Sequence, residues 1–225
     1  MTCIGVMARA PLPGRCKTRL ARTLGDAQAA NLYKAMFLDT LDALGVVGAT
    51  RQVVLAAPED DGVAVLRTMV PKNWEVIAQH GTDLGERLRN GFSDLAPEGP
   101  VVLVDSDSPT LPIAPLAEAL SRFWNSHNVL LGPCDDGGYY LIGLTSIRSG
   151  ELGVLSDIPW STSGVLAATR KRCHELRLDV TELPVWYDVD DAASLARFSA
   201  ELSATPERAA RCTAVLAARS ETWTA

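Results

Sequence analysis

No stretch of this chain approaches the roughly 20 consecutive apolar residues of a membrane span. Its apolar start, Met1 to Met7, is too short for a secretory signal, and Pro11 and Pro13 follow closely. The five cysteines (3, 16, 134, 173 and 212) are odd in number and form no Cys-x-x-Cys pair. That excludes a disulfide framework or a structural zinc and fits reduced thiols. His80, His127 and His174 stand apart from any nucleophile-elbow or triad context, which disfavours a hydrolase with a His-activated nucleophile. The formal net charge of −6 lacks the basic footprint of a nucleic-acid binder. No Gly-x-Gly-x-x-Gly follows the first apolar run, and Gly14 is separated from Lys17-Thr18 by Arg15 and Cys16, so neither common phosphate loop is present. These absences describe a soluble cytoplasmic protein whose partners are neither a membrane nor a nucleic acid. The oligomeric state is left open.

What the chain has is core. Hydrophobic residues fill 47% of its 225 positions and no low-complexity stretch divides them, so one α/β domain is expected over 1–225. Val101-Val102-Leu103-Val104 is an unbroken apolar run that suits a strand buried on both faces of a parallel sheet. It leads into Asp105-Ser106-Asp107-Ser108-Pro109. Ligands of open α/β sheets bind at such strand exits. Two carboxylates one residue apart there suit a divalent cation holding phosphate oxygens.

Further strands are expected at Thr2–Met7, Arg51–Ala57, Trp74–Ala78, Asn128–Gly132, Tyr139–Leu144 and Val180–Trp186. Helices are expected from Asp26, as N-cap, through Leu44, and at Asp60–Val70. Three more are read from Thr82 or Asp83, over Leu116–Trp124, and from Ser161 or Thr162 to Leu176. The last two follow Asp190 and span Thr205–Arg219. The Asp135-Asp136-Gly137-Gly138 turn marks a hairpin, which would set one antiparallel strand into an otherwise parallel sheet.

Several loops between these elements carry chemistry. Residues 8–20 hold Arg9, Arg15, Lys17 and Arg19 on a path stiffened by Pro11 and Pro13, well placed to meet a polyphosphate. Gln79 and Gly81 sit at another strand exit, where an amide and a close backbone approach can read a base or sugar. Asp83 with Glu86 has capping-box spacing that by itself explains both acids. Asp135 and Asp136 serve either the turn or an acceptor hydroxyl. Trp160 is either core or a stacking wall. Asp188, Asp190 and Asp191 form a second acidic cluster, in which Asp190 is either a helix cap or a metal ligand.

Read together, Ala10-Pro11-x-Pro13-Gly14-x-x-Lys17-Thr18-Arg19-Leu20-Ala21, Gln79-x-Gly81-x-Asp83-Leu84-Gly85-Glu86-Arg87, Ser106-Asp107-Ser108-Pro109, Asp136-Gly137-Gly138-Tyr139-Tyr140-Leu141-Ile142-Gly143, Trp160-Ser161-Thr162 and Asp188-Val189-Asp190 resemble the ordered motifs of one family. It is the nucleotide-diphospho-sugar transferase-like proteins of glycosyltransferase-A fold, with members linked to arsenosugar biosynthesis. Its relatives include 2-phospho-L-lactate guanylyltransferase and the guanylyltransferase of molybdenum cofactor maturation. The resemblance spans about Met1 to Leu195. It implies a three-layer α/β/α domain with a mixed, mostly parallel, Rossmann-like sheet. The nucleotide-binding half would be about 1–110, the acceptor-binding half about 111–204, and a C-terminal helix about 205–219.

The resemblance further implies a nucleotide or nucleotide sugar on Arg9, Pro13, Gly14, Lys17, Arg19, Gln79, Gly81 and Asp83. A small-molecule acceptor would lie on Asp135, Asp136, Gly137, Gly138, Tyr139, Trp160, Ser161 and Thr162. Mg²⁺ or Mn²⁺ would be held by Asp107, Asp188 and Asp190, with Asp105 as a supplementary ligand. Asp105 stands where the family has glycine, and Ser194 where it often has aspartate. The first expectation is glycosyl transfer from a nucleoside-diphosphate sugar. There the cation on Asp107, with Lys17 and Arg19, neutralises the leaving diphosphate, and Asp136 orients or deprotonates the acceptor. The alternatives are nucleotidyl transfer from a nucleoside triphosphate to a phosphorylated acceptor, with release of pyrophosphate, and a nucleotide-binding protein without catalysis.

Overall fold

The computed structural model describes residues 2–96, 99–122, 128–147 and 150–222. Seven strands form one sheet: β1 (Cys3–Ala8), β2 (Arg51–Ala56), β3 (Glu75–Ala78), β4 (Val101–Val104), β5 (Asn128–Pro133), β6 (Tyr139–Leu144) and β7 (Asp179–Glu182). Their order across the sheet is β3-β2-β1-β4-β6-β5-β7. β6 alone runs antiparallel to its neighbours, as the hairpin signal required. The helices are α1 (Thr18–Leu24), α2 (Asp26–Gly45), α3 (Gly62–Arg67), α4 (Leu84–Leu95), α5 (Ile113–Arg122), α6 (Val165–Glu175), α7 (Ala192–Ala204) and α8 (Ala210–Thr222).

Strand alternation sorts the core into layers. Ile4, Val6, Val102 and Val104 face Phe37 and Leu41 of α2, Leu66 of α3 and Leu116 of α5. Cys3, Val101 and Leu103 face Leu88 and Phe92 of α4 and Leu166 of α6 on the other side. All four residues of β4 are buried, which explains why that strand reads as a continuous apolar run. A third cluster packs Leu20, Leu195, Phe198 and Cys212 against Leu32 and Met36 of α2. It ties α1, α7 and α8 to the sheet's first crossover.

Several expected boundaries move. Residues 18–24 form α1, a short helix within what reads as loop. Gly25, at φ 78°, is the N-cap of α2, and Asp26 is its first residue with no capping bond from its side chain. The helix expected from Asp60 is split into a 3-10 turn at Glu59–Asp61 and α3. α6 begins at Val165 after Gly164; Ser161 has φ 64° and Thr162 bonds the Gly164 N–H from outside the helix, so neither caps it. β7 ends at Glu182, because Pro184 lacks the donor needed to continue the ladder; Trp186 rejoins only through an isolated bridge to Cys134. The C-terminal segment is a 3-10 turn at Pro206–Ala209 followed by α8. Trp124 and His127 lie outside the described residues.

Candidate active site

Every parallel strand points its carboxyl end at one rim of the sheet, and the acidic and basic loops meet there. The β1 exit turns twice, through Leu12 N–H to Ala10 O and Arg15 N–H to Leu12 O. It ends at Lys17, which takes a left-handed conformation (φ 47°, ψ 46°) just before α1. Such a backbone costs on the order of 1–3 kcal/mol for a non-glycine residue and is concentrated at functional sites. Tyr33 of α2 fastens this loop to the β4 exit: its hydroxyl accepts the Arg9 N–H at 3.0 Å and lies 2.8 Å from Ser106 Oγ. Burial, then the Asp107 charge, push the Tyr33 hydroxyl up to about 12, so it stays protonated.

The two acidic stretches are joined by backbone. Val189 N–H donates to Asp107 O at 2.9 Å, which lays Asp188–Asp190 beside the β4 exit. Asp191, not Asp190, caps α7: its Oδ1 accepts the Ser194 N–H at 2.9 Å. Ser194 Oγ in turn accepts the Asp190 and Asp191 N–H groups at 2.9 and 3.0 Å. Ser194 therefore completes a capping box with Asp191 and leaves the Asp190 carboxylate for other work.

Asp107, Asp188 and Asp190 each place a carboxylate oxygen within 4.8 Å of the other two. A set of three hard, half-buried carboxylate oxygens suits Mg²⁺ or Mn²⁺ far better than a soft metal. Lys17 Nζ bonds both Asp107 and Asp190, with only 5% of its side chain exposed, and Arg19 bonds the second Asp190 oxygen. Burial works against the Lys17 charge, but Asp107 and Asp190 outweigh it and hold the ammonium above the ordinary lysine value. Burial likewise opposes charge on Asp190, while Lys17 and Arg19 hold its carboxyl below the usual range.

Asp188 makes no ion pair among the described residues, and burial, then Asp190 and Asp107, push it up to about 6. Charge on Asp188 therefore opposes folding. Relief is complete below the ordinary value of 3.8 and is lost as pH rises through about 6. Asp188→Asn should stabilise the protein by about 1–2 kcal/mol above pH 6, after discounting for solvent screening. The gain should shrink between pH 6 and 3.8 and vanish below, as thermal unfolding at pH 8 and pH 3.5 will show.

Asp105 stands apart from this trio. Burial, then the Asp107 charge, raise its carboxyl well above the usual range, which favours the protonated acid. Its Oδ2 accepts the Ser108 hydroxyl at 2.8 Å, and its buried Oδ1 has no hydrogen-bond partner among the described residues.

A cavity of about 800 Å³ opens beside the carboxylates, within the size range of ligand sites. Arg9, Lys17, Arg19, Gln79, Asp83, Asp107, Trp160, Ser161 and Asp190 of the expected set line it. Pro13, Gly14 and Gly81 do not. Gly14 instead turns the loop at φ 73° above the Asp26 carboxylate. Gln79 is pinned by its amide to Leu55 O at 2.5 Å. Asp83 caps α4 by accepting the Glu86 N–H at 2.8 Å, while Glu86 reaches back to Thr82, one residue short of a capping box. Trp160 fits because Gly85 has no side chain: a Cβ there would lie 2.2 Å from its Nε1. It meets Tyr139 edge to face, and Tyr139 is itself partly buried in the layer that holds Leu166 and Cys173 of α6.

The lining also includes Arg15, one of the loop cations expected to meet a polyphosphate, and Tyr33, Glu59, Arg87 and Ser106, which the sequence reading did not name as ligand-binding. Arg87 pairs with Glu59 at 2.6 Å, and both line the cavity. Asp135, Asp136 and Asp188 line a second cleft, of about 330 Å³, which shares Arg19 and Asp190 with the first. There Arg197 bonds Asp135 and stacks 3.7 Å over Tyr187. Asp136 Oδ1 accepts the Gly138 N–H at 2.8 Å, and Gly137, at φ 90°, lies so close to Ser163 O that a Cβ would be 2.2 Å away. Thr162 bonds Pro159 O and faces neither cleft.

A mixed sheet with one reversed strand and a ligand cavity at its carboxyl rim is the fold of the nucleotide-diphospho-sugar transferases. The chain belongs to a family described as "Uncharacterized protein conserved in bacteria (DUF2064)", whose model matches residues 40–162. It is 34% identical over 140 residues to 3-phospho-D-glycerate guanylyltransferase of Phenylobacterium zucineum (strain HLK1). That match takes in 60% of this chain and 62% of that relative, so less than two thirds of the relative's length is covered. A solved structure from Desulfovibrio desulfuricans G20, provisionally named a nucleotide-diphospho-sugar transferase, superposes with a TM-score of 0.87 at 30% identity. It covers 98% of this chain and 95% of that one. Rv0371c from Mycobacterium tuberculosis H37Rv, crystallised with manganese, shares the fold at 20% identity and a TM-score of 0.54, over 88% and 97% of the two chains. No helix among the described residues is long and apolar enough to cross a membrane.

Proposed function

We propose that this protein is a divalent-cation-dependent nucleotidyltransferase that joins a nucleoside monophosphate, taken from a nucleoside triphosphate, to a small phosphorylated acceptor. The observation that carries this reading is the meeting of two charge sets at the rim of one cavity, where Lys17 and Arg19 bond Asp107 and Asp190 directly. Lys17, Arg9, Arg15 and Arg19 lie on the β1 exit, and Asp107, Asp188 and Asp190 lie beside them. The guanylyltransferase relative favours this reaction over glycosyl transfer, which the motifs alone placed first. The nucleotide would occupy the side formed by 1–110 and the acceptor the side formed by 111–204.

A phosphate oxygen of the acceptor attacks the α-phosphorus. A new P–O bond forms, the bond from the α-phosphorus to the bridging oxygen breaks, and pyrophosphate leaves with the electron pair. Asp107, Asp188 and Asp190 would hold the cation, which when bound supplies positive charge to the phosphate oxygens. Arg15, Arg19 and Lys17 add fixed charge where the leaving pyrophosphate becomes more negative, so they bind the transition state better than the ground state. Gln79 and Thr82 also line the cavity, and the nucleoside would extend toward them. No general base is needed, because a phosphate monoester is mostly dianionic at pH 7.

That last point separates the two chemistries at Asp136. If its main task is the hairpin bond to Gly138, Asp136→Asn should lower kcat less than tenfold. A base acting on an acceptor hydroxyl would lose about 10²–10⁴-fold. The reading as a whole is tested by incubating the protein and Mg²⁺ or Mn²⁺ with nucleoside triphosphates or nucleotide sugars, with phosphorylated hydroxy acids and free sugars as acceptors. Pyrophosphate formation that depends on the acceptor supports it. Free nucleoside diphosphate from a nucleotide sugar would assign glycosyl transfer instead.

A further inference from the structure

We propose that Lys17 is the carboxylate cluster's own counter-cation and yields Asp107 and Asp190 to a divalent ion only when nucleotide phosphates draw its ammonium away. The proposal rests on the cation reading of the cluster given above. Lys17 Nζ bonds two of the three carboxylates that form the cluster, one from the β4 exit and one from the segment before α7. The side chain is nearly closed off from solvent, and Arg19 already holds the other oxygen of Asp190. Two of the cluster's three negative charges are thus matched by fixed cations, and only Asp188 has no ion pair among the described residues.

A divalent ion seeking Asp107 and Asp190 meets an ammonium at contact distance, and like charges that close in a half-buried site repel strongly. Lys17 also has somewhere to go. Lysine carries a compact charge on a flexible four-carbon stem, and its stem here starts at the wall of the large cavity that Arg9, Arg15 and Arg19 also line. Triphosphate oxygens arriving there offer the ammonium a new partner at the moment the carboxylates gain the divalent ion. Ion and nucleotide therefore enter as a coupled pair, and by linkage each strengthens the other. The arrangement keeps the cluster from capturing a free divalent ion with no substrate present.

The test uses Mn²⁺ alone, titrated into the 225-residue chain and followed by the loss of its free electron paramagnetic resonance signal. Lys17→Met should bind Mn²⁺ at least about tenfold more tightly than wild type, since one contact cation is gone. Adding Asp188→Asn to that variant should cancel the gain. Lys17→Gln is the second variant, and thermal unfolding establishes that each is folded. Equal Mn²⁺ affinity in wild type and both folded Lys17 variants would overturn the proposal. A wild-type protein that then still forms a ternary Mn²⁺–nucleotide complex would lose only the Lys17 handover. A protein that takes up no Mn²⁺ in any variant, with or without nucleotide, would lose the cation reading as well.

Discussion

Asp107→Ala should abolish cation-dependent nucleotide binding and lower kcat/KM on the order of 10³-fold or more. The size follows from position. Asp107 belongs to the carboxylate trio, holds Lys17, and its backbone carbonyl anchors Val189. Alanine keeps the backbone anchor and removes the charge, so the loss reports the carboxylate alone. Asp105→Asn is the matched contrast. Its environment already favours the protonated acid, which asparagine mimics in shape, so activity should change less than tenfold and unfolding by about 1 kcal/mol or less. Isothermal titration with Mg²⁺ and nucleotide, alongside steady-state kinetics, measures both. Equal losses at 105 and 107 would mean that Asp105 is a ligand after all.

Lys17→Met should have the second largest effect, and it runs in two directions. Turnover should fall about 10²–10³-fold, because a fixed charge beside the departing pyrophosphate is lost. Free Mn²⁺ binding should improve in the same protein. A residue that only held the fold together would weaken both. If the charge acts mainly in the transition state, kcat should fall together with kcat/KM, and KM alone should move little.

Much of this was legible in the chain because sheet chemistry is local. β4 announced itself as a buried apolar run, and Gly137-Gly138 announced the one reversal of the sheet. The structure places the charged residues around the cavity at strand exits, as their position beside apolar runs led us to expect. Which acid does what was less legible. Asp190 and Asp191 are adjacent and chemically alike, and only the spacing from Asp191 to Ser194 signals the capping box. Helix α1 was hidden because Thr18–Leu24 is polar apart from its leucines and alanine, and only Leu20 is buried.

The contacts that complete the site are long-range. Lys17 meets partners 90 and 173 positions away, which no local pattern encodes. Tyr33 looked like one more core aromatic on α2, and nothing in its helical spacing marks the hydroxyl that joins Arg9 to Ser106. Trp160 was readable only as core or wall; its place follows from Gly85, whose missing side chain leaves room for the indole.

The central claim is that the bond broken lies between the α- and β-phosphates of a nucleoside triphosphate. Parallel reactions with α-labelled and γ-labelled triphosphate, Mg²⁺ and a phosphorylated hydroxy acid test it most directly. The account predicts that the α-label moves to a new diphosphate-linked conjugate while the γ-label leaves as pyrophosphate, in equal amounts. Triphosphate that stays intact while a nucleotide sugar is consumed and nucleoside diphosphate accumulates would contradict it.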